Sequence, residues 1–324
     1  MIGEKLGKYT ILESLGTGSM GTVYKAEDPD GRIVALKLIR SQVLYDVERR
    51  ERFLQEILAA SLVRHQGICP ILEIGDENDD FFIVMPFLEG KTLEQHLERK
   101  PLPWRHVLDI AIPIGDAVAA AHAAGAVHRG LKPANVWLRT DGSVVISDCS
   151  VARFTEIGKR TLNTRAEPRL DFADTLIPRA ALAYMSPEQV CGDIVDLRTD
   201  VFSLGTILYE MLTGRHPFDA RNSLSQMSAI LDADPVPLGS KLGSIPPELN
   251  LIVRRALARE PSDRYQSMDD LLADLKRVQQ AGDGEPYSPP VANKRRLSTL
   301  VLWLAAITLL SALIAATLRF LNLL

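Results

Sequence analysis

Gly16-Thr17-Gly18-Ser19-Met20-Gly21 runs directly into Thr22-Val23-Tyr24-Lys25-Ala26. Glycines at this spacing fit two unrelated phosphate sites. In a dinucleotide fold the loop follows a strand and opens a helix. Here the residues beyond the last glycine are β-branched and aromatic, a strand signature. The loop therefore reads as the tip of a hairpin whose glycines let backbone N–H groups approach an anion. A plain glycine-rich turn has the same local look, so the decision rests on what lies downstream.

Working outward, Tyr9–Leu15 and Thr22–Ala26 read as strands, and Asp28-Pro29-Asp30-Gly31 as the turn of a hairpin. Ile33–Ile39 is a nearly continuous apolar strand interrupted by Lys37. A lone ammonium there is costly without an anionic partner. Glu56, on the helix predicted over Val47–Val63, is a candidate. Ile71–Ile74 and Phe81–Met85 return to strand. Helices then dominate: Trp104–Ala124, Val201–Leu212, Leu249–Ala258 and Met268–Val278, the last introduced by the capping box Ser267-x-x-Asp270. A β-rich part followed by a helical part predicts an α+β fold with two lobes.

With 41 acidic and 37 basic side chains the net charge is −4, which argues against a nucleic-acid binder working through a bulk basic field. Cys69, Cys149 and Cys191 are odd in number and lack metal-ligand spacing, so reduced thiols are expected. His65, His96, His106, His122 and His216 are likewise scattered.

The ordered motifs resemble the eukaryotic-type protein kinase family, its bacterial membrane-anchored serine/threonine branch in particular, over about Tyr9–Val278. They are Gly16-x-Gly18-x-x-Gly21-x-Val23, Val34-Ala35-Leu36-Lys37, His128-Arg129-Gly130-Leu131-Lys132-Pro133-Ala134-Asn135 and Asp148-Cys149-Ser150. Tyr184-Met185-Ser186-Pro187-Glu188, Asp200-Val201-Phe202-Ser203-Leu204-Gly205 and Asp263-Arg264-Tyr265 follow in order. The resemblance implies a two-lobed kinase fold holding ATP and Mg2+. Lys37 would bind the α- and β-phosphates and pair with Glu56, while Asn135 and Asp148 would hold the metal. Leu15, Val23 and Ala35 would sandwich adenine against the hinge Met85–Leu88, where Pro86 keeps its carbonyl and Leu88 supplies an N–H. His128 is expected to pack structurally, and Arg264 to pair with Glu188.

Three departures fall at the chemistry. Gly130 stands where the family has its catalytic aspartate, whose general-base help is worth about 10²–10⁴ in rate. Glycine also loosens the loop, and Asp141, in a predicted turn, offers no replacement. Cys149-Ser150 replaces Phe-Gly, with Cys149 expected to pack rather than react. Ala180-Ala181 replaces Gly-Thr. The long segment from Asp148 to Glu188 carries Thr155, Thr161, Thr164 and Thr175; it reads as a solvated loop, in which a phosphothreonine could pair with Arg129. The reading that follows is a kinase-like protein binding ATP and Mg2+, with weak or absent phosphotransfer and an unknown protein partner. A slow but genuine kinase using Lys132 and the metal, and a nucleotide-independent scaffold, are the alternatives.

Residues 297–318 form 22 uncharged, mostly apolar residues after Lys294-Arg295-Arg296. That length suits a membrane-crossing helix with the N-terminal part in the cytoplasm. The expected organisation is a kinase-like domain over 9–278, a juxtamembrane linker over 279–296, the span over 297–318 and a short extracytoplasmic tail over 319–324. Ser311/Ala315 and Ala312/Ala316 could support pairing of two copies.

Overall fold

The computed structural model describes residues 2–18, 21–40, 47–77, 80–148, 182–238 and 245–281, without the side chains of residues 47–49, 52, 56 and 59. The linker, the apolar run and the tail lie outside the described residues. Among the described residues no helix is long and apolar enough to cross a membrane.

The N-terminal part is a six-stranded antiparallel sheet. Its strands are β1 (Lys5–Leu6), β2 (Tyr9–Thr17), β3 (Gly21–Glu27), β4 (Ile33–Ile39), β5 (Glu73–Glu77) and β6 (Asp80–Pro86), in the order β1-β2-β3-β4-β6-β5. The β3–β4 turn is fixed by Asp28, whose Oδ1 accepts from the N–H groups of Asp30 and Arg32 at 2.9 and 2.8 Å. Gly31 supplies the left-handed residue at φ 79°. Gly21 faces Ile39 across the β3–β4 ladder, and a Cβ there would lie 1.8 Å from the Leu38 carbonyl oxygen. Only glycine fits that approach.

Period-two alternation on β4 sorts its side chains. Val34 and Leu36 join Tyr9, Ile11, Phe82 and Val84 in one apolar layer. Ile39 joins Phe81, Ile83 and Met85 on the other face, covered by Phe53 and Ile57 from helix α1 (Val47–Ser61). Those two α1 side chains are fully buried and stabilise by roughly 1.5–3 kcal/mol each. Lys37 lies on this second face, beside Ile39.

Beyond the hinge, β7 (Gly90–Thr92), β8 (Val136–Arg139) and β9 (Val144–Ile146) form a small three-stranded sheet under α2 (Leu93–Leu97). The remaining helices are α3 (Trp104–Ala123), α4 (Pro187–Cys191), α5 (Arg198–Thr213), α6 (Ser223–Asp232), α7 (Pro247–Ala256) and α8 (Met268–Ala281). Their apolar faces share one large core built on α3 and α5, separate from the two sheet layers. The expected β-rich and helical lobes are both present. Two tethers join them behind the cleft: the Ile146 N–H donates to the Gly67 carbonyl, and the Ile146 carbonyl accepts from Cys69 N–H, each at 2.8 Å.

Within the helical part Arg264 pairs with Glu188 through two bonds of 2.7 and 2.8 Å, as expected. Its other donors reach the carbonyls of Ala258, Arg259 and Arg198, and its guanidinium lies over the Phe202 ring. The strand expected at Ile71–Ile74 is displaced to Glu73–Glu77. Its sequence is polar because it is an edge strand held by backbone pairing with β6, so hydropathy does not mark it.

Candidate active site

The cleft between the lobes has a volume of about 850 Å³. Gly16, Gly18, Gly21 and Val23 form its roof, and Leu15 stands at its rim, 45% exposed. Ala35 and Lys37 line it from β4, and the hinge residues Pro86 and Leu88 from the end of β6. Gly130, Lys132, Asn135 and Asp148 form its floor. All these expected residues converge on one cleft. Ser19 and Met20, at the loop tip, lie outside the described residues.

Lys37 is buried, as its place in an apolar strand requires, and its Nζ lies 2.6 Å from Asp148 Oδ1. Glu56 belongs to α1 by its backbone, but its side chain lies outside the described residues. Burial pushes the Asp148 carboxyl up; the Lys37 ammonium foremost, together with Lys132 and His128, outweighs it and holds the carboxyl below the usual carboxylate range. Asp148 itself adopts a left-handed backbone, φ 61°, and the preceding residue is anchored by its Ser147 N–H to the Asn135 carbonyl at 2.9 Å.

His128 is fully buried, and burial pushes its imidazole below the ordinary histidine value. Its tautomer follows from its neighbours. Gly130 N–H donates to Nδ1 at 3.3 Å, so Nδ1 is bare and Nε2 carries the proton given to the Ser147 carbonyl at 3.1 Å. The histidine is structural, as expected. The Gly130 carbonyl in turn accepts from Asn135 Nδ2 at 2.9 Å. Both backbone groups of Gly130 therefore have partners within the loop. Gly130 itself brings no carboxylate to the floor. Asp141 sits in a turn closed by Ser143, as expected, and does not line the cleft.

The donor set suits magnesium. Asn135 spends its amide N–H on Gly130, which leaves its carbonyl oxygen, and Asp148 contributes a carboxylate. Hard cations prefer such oxygens, and magnesium commonly takes one or two protein ligands with waters and phosphates completing its shell. Among the described residues no cluster of three or more His, Cys, Asp or Glu side chains forms an all-protein metal cage.

Cys69 lies at the back of the cleft, where burial pushes its thiol up to about 12; it is a packing residue. Sequence reasoning missed the anchoring roles of Asp200 and Gln189. The fully buried Asp200 accepts from the N–H groups of His128 and Arg129, each at 2.8 Å, and bonds His122 Nε2 at 2.8 Å. An acid beside the apolar run of α5 was the available signal. Gln189 carried none. Cys149-Ser150, Ala180-Ala181 and the threonines between them lie outside the described residues.

The protein kinase domain family matches residues 9–274, and the chain belongs to the protein kinase family. It is 33% identical over 279 residues to serine/threonine-protein kinase PrkC of Bacillus subtilis, covering 85% of this chain and 41% of that one. It is 33% identical over 273 residues to serine/threonine-protein kinase PknL of Mycobacterium tuberculosis, covering 84% and 65%. The PknI kinase domain of Mycobacterium tuberculosis superposes with a TM-score of 0.65 at 25% identity, covering 86% of this chain and 98% of that domain. The chain thus spans less than two thirds of these curated relatives.

Proposed function

We propose that this chain is a membrane-tethered pseudokinase: it binds ATP with Mg2+ and transfers phosphate weakly or not at all. The observation that carries the reading is Gly130 on the floor of a cleft that keeps Lys37, Asn135 and Asp148 together. Lys37 supplies a buried cation for phosphate, and Asn135 and Asp148 supply oxygens for the metal. Bound magnesium would neutralise phosphate charge. At Gly130 no side chain can accept or orient the proton of an attacking hydroxyl, and Asp148 is engaged by Lys37. Output would then be conformational, a nucleotide-biased arrangement read by a protein partner.

A slow, genuine serine/threonine kinase is the second reading, favoured by Lys132 in the cleft. Loose phosphoryl-transfer transition states need little base help. The apolar run over 297–318 would anchor the chain, with the kinase-like domain in the cytoplasm, and two copies could pair through it.

The test uses the full chain in mild detergent with γ-labelled ATP, following thermal stability and label transfer to itself and to a basic protein. Stabilisation by ATP and Mg2+ with negligible transfer, and gain of transfer in Gly130→Asp, is the expected result. Wild-type transfer abolished by Asp148→Asn would establish the slow kinase. No stabilisation at all would leave a scaffold.

A further inference from the structure

Gln189, in the first turn of α4, lies behind the cleft floor and joins three elements. Its Oε1 accepts from Ser186 N–H at 3.0 Å and from the Thr199 hydroxyl at 2.9 Å, and its Nε2 donates to the Arg129 carbonyl at 2.8 Å. The Ser186 amide can only donate and the Arg129 carbonyl can only accept, so these neighbours fix which end of the side chain is oxygen.

Arg129 needs such a hold. Its φ is 60°, a left-handed conformation costing a non-glycine residue roughly 1–2 kcal/mol. Its N–H is held by Asp200. Its carbonyl and the Gly130 N–H belong to one peptide unit, held by Gln189 on one side and His128 on the other. The next carbonyl, that of Gly130, orients the Asn135 amide and hence the direction of the Asn135 oxygen. With no side chain at Gly130 to restrict the backbone, the orientation of this unit rests on its hydrogen bonds, of which the one from Gln189 comes from outside the loop.

We propose that Gln189 is a positioning residue for Asn135. By clamping the Arg129–Gly130 peptide from α4, it aims the Asn135 oxygen at the metal position and couples α4 to metal affinity. The inference rests on the reading of Asn135 as a metal ligand, but the tether can be tested without that reading.

Gln189→Glu separates the two halves of the contact. It is isosteric and keeps an acceptor for Ser186 and Thr199, but it puts a carboxylate oxygen against the Arg129 carbonyl. In the full chain in detergent, the Mg2+ concentration giving half of the ATP-induced stabilisation should rise by about five- to thirtyfold, the effect of one lost buried hydrogen bond. Metal-free ATP affinity should stay unchanged, a split that general destabilisation would not produce. Amide hydrogen exchange, with no ligand, should accelerate in peptides covering 128–135 and stay unchanged across α5. Unchanged exchange at 128–135 overturns the tether whatever the nucleotide result. Faster exchange with an unchanged Mg2+ midpoint overturns the link to Asn135. A wild type lacking Mg2+-dependent binding overturns the proposed function instead, and exchange then decides the tether alone. Should Gln189→Glu lose its cooperative melt, Gln189→Met, similar in length and uncharged, removes donor and acceptor together, and the same exchange and Mg2+ readouts decide.

Discussion

The ammonium of Lys37 and the carboxylate of Asp148 meet at 2.6 Å, the first 8% and the second 27% exposed. Two groups assigned to different parts of a nucleotide complex form an ion pair with each other. Removing Lys37 leaves a largely buried carboxylate without its hydrogen-bonded ammonium. Lys37→Met should therefore destabilise by about 1–3 kcal/mol near neutral pH, below the full range for breaking a buried pair because Asp148 keeps some solvent contact.

The pH dependence follows from the same pair. The Asp148 carboxyl is held below its ordinary value in the folded chain, so its contribution is fully present above the unfolded value and is lost as pH falls through the folded one. In Lys37→Met, burial without the ammonium raises that carboxyl, so acid relieves the variant. Both effects act in one direction: thermal melts should show the gap between wild type and variant narrowing as pH falls toward about 4 and below. A gap that widens on acidification would remove the pairing argument.

The roof glycines should not behave alike. A Cβ at Gly21 would meet the Leu38 carbonyl at 1.8 Å, while Gly16 and Gly18 have nothing within 4 Å of that position among the described residues. Gly21→Ala should cost about 2 kcal/mol or more by forcing β3 from β4. Gly16→Ala and Gly18→Ala should stay within roughly 0.5 kcal/mol of wild type in urea unfolding yet weaken ATP binding, because they add bulk where phosphates would approach.

Arg264→Met should be among the most damaging single changes in the helical part. It leaves Glu188, also buried, without its guanidinium, and breaking such a pair costs about 3–5 kcal/mol. Equilibrium unfolding of the variant against wild type measures it; a loss under about 1 kcal/mol would contradict the buried-pair account.

Much of this site was legible because costly residues stand out. Lys37 in an apolar strand demanded an anion, and the glycine loop before a strand pointed to a hairpin lid. The anion that the structure places beside Lys37 is Asp148, 111 residues away, and no local pattern encodes such a separation. Gln189 was invisible for the same reason: its partner Arg129 is 60 residues distant, and one polar residue in a five-residue helix has no period to break. The ties on Gly130 were not legible either, because they come from His128 and Asn135 through the backbone. Short elements such as β7–β9 also escaped, being held by ladder bonds rather than by hydropathy.

The paired bonds of Ile146 to Gly67 and Cys69 have a mechanical reading. They fasten the stretch trailing α1 to the strand that ends two residues before Asp148. Gly67 and Cys69, which follow the helix, and the residues leading to the carboxylate therefore share one backbone anchor at Ile146. Both bonds use main-chain groups of Ile146, so any substitution there short of proline keeps the anchor.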